Sequence, residues 1–235
     1  MRSASDASSR DRLLSAAAEE FAARGFDGAK VDRIARRARG NKVMLYYHFT
    51  NKAALHRAIV EDLFGTLAGK VTGVRERGGA PAEQLRAFIG TIAGELSARP
   101  HFPSIWLREM AEGGRHVGAA LVHSIATIVG VLGAILRDGH TAGVFRPAHA
   151  LTTQINIVAP LLLFFASAPV RERFKDAAPA GVTVVAREAF IAHVEAATLA
   201  FLAAPVAPAP ADVTGSRPAP SPRRRTASAS RRPRS

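Results

Sequence analysis

Apolar residues recur along most of this chain at intervals of three and four, which stacks side chains on one face of an α-helix. Leu13, Leu14, Ala17 and Phe21 make such a face over 10–24, which Gly25 ends. Val31, Ile34 and Ala35 make a short one over 31–38, and Leu45 with Phe49 another over 42–49. Asn41 is placed to cap the latter, and Thr50 or Asn51 a fourth helix from about 52 to 75. The same spacing predicts helices over 82–98, 103–112, 117–138, 148–167 and 183–203, with Pro or Gly between them. No stretch alternates with period two, so no sheet is expected and the fold class is all-α. The last two long helices are apolar nearly all round, from Ile157 in one and over most of the other, and such helices must be buried.

At residue 205 the pattern stops. Residues 205–235 hold Pro, Ala, Ser and Arg with almost no large apolar side chain, so they are expected to be a disordered tail. Four parts follow: a flexible N-terminus over 1–9, a helix-turn-helix domain over 10–56, a larger helical domain over 57–204, and the tail.

Charge follows the same division. Residues 1–60 carry 12 Lys/Arg against 6 Asp/Glu, residues 61–204 carry 13 against 12, and the tail 7 against 1. A nearly neutral body with basic ends points to a polyanion met by the ends. Arg outnumbers Lys 27 to 5, so part of the positive charge is a compositional bias. The tail arginines fit a nonspecific DNA-tethering arm or a solubilising extension equally well. There is no cysteine, which excludes disulfides and thiolate metal sites. The N-terminus lacks a signal-peptide core. The longest apolar runs, 125–136 and 157–170, fall short of the ~20 residues that span a bilayer. A cytoplasmic protein without a membrane partner is expected.

The chemistry concentrates in 31–52, VDRIARRARGNKVMLYYHFTNK. Two short helices joined by a tight turn, the second basic and aromatic, suit the major groove of double-stranded DNA, which admits one helix. Lys42 and Lys52 stand at helix starts, where ammonium and free N–H groups meet phosphates. Tyr46 and Tyr47 offer hydroxyls to phosphates and rings to thymine methyls. Val43 and Met44 can touch bases, and His48 can cap or reach a phosphate. Leu45 and Phe49 face inward.

Residues 10–60 resemble the DNA-binding domain of TetR-family transcriptional regulators. The resemblance rests on Arg12-Leu13-Leu14, Ala16-Ala17, Phe21, Arg24-Gly25-Phe26, Val31, Ile34-Ala35, Ala38, Lys42, Leu45 to Phe49, Asn51-Lys52 and Leu55. It implies an all-helical, two-domain homodimer whose third helix enters the major groove and whose second domain binds a small effector. By position it implies backbone contacts from Lys42, Tyr46 and Lys52, with Val43 and Met44 as base readers. The turn departs from the family's usual Ala-Gly-Val-Ser-Lys: Arg39 stands where Gly is usual and Gly40 where an apolar residue packs. Either Gly40 takes the positive φ or Arg39 bears a strained one; Arg39 could also add a phosphate contact.

The body resembles the family's effector domain only in helical architecture. Pocket candidates are Phe88, Ile92, Trp106, Met110, Ile125, Ile128 and Phe164, although Trp106 and Met110 at helical spacing suit a core as well as a ligand. His149, Thr152, Thr153 and Asn156 form a polar stripe that could face a ligand, the partner subunit or water, and Asn156 joins the pocket candidates. His116 and His123 lie two turns apart, unlike the i, i+4 pair of a helical metal site, so neither metal nor cofactor is expected. The chain carries no Gly-x-Ser-x-Gly and no His-Glu-x-x-His, and Gly65 to Lys70 only faintly echoes a phosphate loop, so no enzyme is expected. The reading is a sequence-specific DNA-binding regulator, a repressor released by a small apolar effector. The alternative is an architectural protein that binds DNA without sequence preference or gating.

Overall fold

A computed structural model of the chain describes residues 4–174 and 185–204. Among them are ten helices: α1 (Ala4–Gly28), α2 (Val31–Arg37), α3 (Lys42–His48), α4 (Lys52–Arg77), α5 (Pro81–Ala98), α6 (Phe102–Ala111), α7 (Ala119–Thr141), α8 (Ala150–Ala166), α9 (Ala168–Phe174) and α10 (Arg187–Leu202). Among the described residues the β-type pairing is one isolated bridge, Phe145 with Ala203. The tail and its arginines lie outside the described residues, as does the expected start of the last helix at 183.

Two expectations change. Helix α1 begins at Ala4, so the segment expected to be flexible is helical from there on. Gly25 does break it, with φ 69° and ψ 178°, but helical turns resume to Gly28. Helix α9 fills a stretch read as a break at Pro169; that Pro is the second residue of the helix, where no N–H is needed.

Helices α1 to α3 form a small bundle around Leu13, Phe21, Ile34, Leu45 and Phe49, all buried. Helix α4 leaves this bundle and runs 26 residues into the body. Its buried residues Leu55, Ile59, Leu63, Leu67, Val71 and Val74 recur every three or four positions, one continuous seam. Asn51 starts it by accepting a hydrogen bond from the Ala54 N–H at 2.8 Å. Helix α7 packs along α4 and α5. By length and composition it is long and apolar enough to cross a bilayer, which the apolar run alone was not. Leu121, Ile128, Leu132, Ile135 and Leu136 are nevertheless buried in the protein core. Near its end Gly139 makes room for Phe145: a Cβ there would lie 2.0 Å from that ring's Cδ2.

Candidate functional site

The turn between α2 and α3 is closed by the Gly40 N–H on the Ala35 carbonyl (2.9 Å) and the Arg39 N–H on the Arg36 carbonyl (3.1 Å). These are the paired bonds of a Schellman motif, which requires a left-handed residue at the position after the cap. Arg39 occupies it, with φ 54°. Gly40 thus does not absorb the positive φ. The space its missing side chain leaves is met by Met44, whose Sδ would lie 3.3 Å from a Cβ at residue 40.

Helix α3 starts at Asn41, whose side-chain oxygen accepts from the Met44 N–H at 2.8 Å. Leu45, fully buried, and Phe49 anchor it to α1 and α2. The opposite face is bare: Val43 is 76% exposed, Tyr47 75% and Tyr46 51%. Valine and tyrosine are costly to leave in water without a use, and here they share one helix face. His48 is half-buried with its ring 5.1 Å from that of Tyr47. Met44 is half-buried as well, turned partly into the core rather than fully toward bases.

The cations divide into two groups. Arg33 and Arg37 tie α2 to α1 through Glu20 (2.6 Å) and Glu19 (2.8 Å). Burial pushes Glu20 up, but the Arg33 guanidinium and the Lys30 N–H outweigh it and hold the carboxyl below its ordinary value. Lys52 also turns inward. Its ammonium donates to the carbonyls of Phe26 (2.8 Å) and Ala29 (3.3 Å) and sits 4.5 Å over the Phe26 ring. With two of three donors spent on carbonyls, it is placed to hold the α1–α2 turn rather than a phosphate. Lys42 stays at the surface in an exposed pair with Asp32 (2.8 Å), a contact that raises its pKa and that phosphate can replace. Arg39 is exposed and carries no ion pair among the described residues.

A second feature lies in the body. A cavity of about 240 Å³ opens among α4 to α8. Of the expected liners, Ile92, Trp106, Met110, Ile125 and Ile128 do border it. Phe88, Asn156 and Phe164 do not. Phe88 is sealed in the core of α5. Asn156 faces outward, and Phe164 stacks on Phe190 at 4.2 Å beneath Arg171. The polar stripe also misses the cavity: Thr153 bonds the His149 carbonyl (3.1 Å), and Thr152 is exposed. The polar side chains that do reach it are Glu95 and Gln154. Glu95 is held by Lys70 and Arg99. The Gln154 Oε1 is buried and accepts no hydrogen bond. Phe64 and Phe102, which border the cavity with Trp106, are not among the expected liners; both are apolar in sequence, but nothing local marks a side chain as facing a hollow.

Apolar side chains also remain exposed on α8 and α10, Leu163 at 64% and Phe201 at 48%. Helices expected to be buried all round are therefore covered on one side only within a single chain.

Comparison with known proteins agrees with this geometry. Residues 13–59 match the family described as bacterial regulatory proteins, tetR family, and residues 81–177 match the tetracyclin repressor-like C-terminal domain. The chain is 28% identical over 160 residues to the HTH-type transcriptional repressor NicS of Pseudomonas putida, covering 67% of this chain and 76% of that one. The crystal structure of SCO4942 from Streptomyces coelicolor, described as a transcriptional regulator, superposes with a TM-score of 0.62 at 27% identity, covering 84% and 99% of the two chains. AibR, solved with isovaleryl coenzyme A and operator DNA, shares the fold with a TM-score of 0.59 at 18% identity over 84% of this chain and 100% of its own.

Proposed function

The chain belongs to the TetR family of transcriptional regulators, which bind DNA and are not enzymes, and from that premise we propose that it is a homodimeric repressor released from its operator by a small, mostly apolar effector. The observation that carries the DNA half is the bare face of α3. Val43, Tyr46 and Tyr47 stand in water on a helix whose other side is locked by Leu45 and Phe49. Val43 and Tyr47 meet bases, Tyr46 and Lys42 meet phosphates, and Arg39 adds a phosphate contact beside them.

One short helix reads few base pairs, so specificity requires two. The exposed apolar strip on α8 and α10 supplies the dimer face, and two readers about 34–36 Å apart match successive turns of DNA. The effector half rests on the cavity. Its apolar walls suit an alkyl or aryl body, and the unpaired Gln154 oxygen asks for one hydrogen-bond donor on the ligand. AibR, which binds a small molecule and operator DNA, supports gating of this kind. An effector that favours the conformation with misplaced readers weakens DNA binding by its differential affinity for the two forms. A bacterial operator-binding protein of this kind works in the cytoplasm.

Footprinting on DNA flanking the protein's own gene tests the reading. The expected result is a short palindrome preferred over random DNA by about 10³-fold or more, with protection lost on adding apolar ligands that carry a donor. Equal affinity for random DNA would leave an architectural protein instead.

A further inference from the structure

Three residues far apart in sequence meet where the DNA-reading bundle joins the body. His56 lies one turn into α4, Glu109 near the end of α6, and His116 in the loop that follows. One ligand atom from each lies within 4.8 Å of the others. His116 Nδ1 is 2.9 Å from Glu109 Oε2, and its backbone N–H donates to Glu109 Oε1 at 2.7 Å. His56 Nδ1 lies 3.8 Å from the same Oε2. His56 is 4% exposed and Glu109 2%. Yet the His56 Nδ1, aimed at this carboxylate, makes no hydrogen bond. An orphaned ring nitrogen in so buried a place has no structural benefit of its own.

We propose that His56, Glu109 and His116 form a site for a divalent transition metal of the zinc class. Two imidazoles and one carboxylate are a donor set that zinc accepts, leaving a fourth position open. The spacing suits it. Ligand atoms at ~2.0–2.2 Å from a tetrahedral ion stand about 3.4 Å apart. The two separations from Oε2, 2.9 and 3.8 Å, bracket that value. The free donor atom suits it too: the buried His56 Nδ1 makes no hydrogen bond that an ion would have to displace.

The shell is that of a built site. The Phe21 and Phe26 rings stand edge-on to His56 at 4.9 and 5.5 Å, and Phe26 lies 4.2 Å from His116. Aromatic walls lower the dielectric and orient the imidazoles. Entry lies by the loop, where His116 keeps 11% of its side chain exposed between Gly113-Gly114 and Gly118. An ion there would pin α4 to α6 directly behind the reader, a connection independent of the apolar cavity.

The test is equilibrium dialysis of the untagged full chain against Co²⁺ and Zn²⁺ at neutral pH, with metal analysis and thermal melts. The expected result is one ion per chain, a tetrahedral Co²⁺ absorption spectrum, and a melting temperature raised by metal. His116→Gln, in the loop, and Glu109→Gln should each weaken binding by more than the ~10–100-fold cost of losing an outer-shell partner. His123→Gln, at an exposed position of α7, should leave it unchanged. Circular dichroism identifies any variant that unfolds, and His116→Gln is the less buried of the two. Absence of stoichiometric binding to the folded wild-type chain, or equal binding by folded His116→Gln, would overturn the site.

Discussion

Replacing Arg39 by Gly should move stability and DNA binding in opposite directions. Arg39 sits at φ 54° in a turn closed by two backbone hydrogen bonds that do not involve its side chain. A left-handed conformation costs a residue with a Cβ roughly 1–2 kcal/mol. Glycine removes that cost but adds about 0.4–1 kcal/mol of freedom to the unfolded chain. The net gain is about 0.5–1 kcal/mol, or a rise in melting temperature of about 1–4 °C for a body of this size. Thermal melts at one fixed protein concentration measure it. If the exposed guanidinium meets a phosphate, the same variant binds operator more weakly. The slope of log affinity against log salt should shrink by about 0.9 per lost contact, and about twice that for a dimer. Arg39→Ala separates the two effects, since it keeps the strain and loses the charge: its salt slope should match that of the glycine variant without the gain in stability. An Arg39→Gly protein that melts at or below the wild-type temperature would refute the strain, and an unchanged salt slope would refute the phosphate contact.

Gly139→Ala should destabilise by about 1–3 kcal/mol, read as a lower denaturation midpoint, because its Cβ would fall 2.0 Å from the Phe145 ring. Val43→Ala, at a side chain 76% exposed, should leave stability within about 0.5 kcal/mol while changing which operator base is preferred in a binding-site selection. Glu20→Gln should flatten the loss of stability in acid. The folded Glu20 carboxyl lies below its ordinary value, so its contribution is present above the ordinary carboxylate range and disappears as pH falls through the lowered one; urea midpoints across pH would show it. Gln154→Leu should leave operator affinity unchanged and abolish the distinction between effectors with and without a hydrogen-bond donor, read by ligand titration of the DNA complex.

Much of the reading element was visible from residue spacing. The Leu45 and Phe49 pair four apart, the Asn41 cap and the exposed aromatics between them need information from one or two turns of helix, which local sequence carries. The turn was half visible: Arg39-Gly40 showed that something departs from the usual pattern, but which residue takes the positive φ depends on how α2 ends against α3. The candidate pocket was less visible. Phe88, Phe164 and Ile125 have the same apolar character, yet one is sealed in core, one stacks under an arginine and one borders the cavity.

The sequence by itself determined that this chain is helical, where most helices begin and end, and which short helix sets Val43, Tyr46 and Tyr47 on the face opposite Leu45 and Phe49, because periodicity and capping are local properties. Tertiary structure decided the rest. It turned Lys52 inward onto the carbonyls of Phe26 and Ala29, left Gln154 facing a hollow instead of Asn156, and brought His56 to Glu109 and His116. A helical period says which residues share a face. Partners separated by twenty to sixty residues are chosen by how whole helices pack, since burial and charge pairing are settled across helices and not along them.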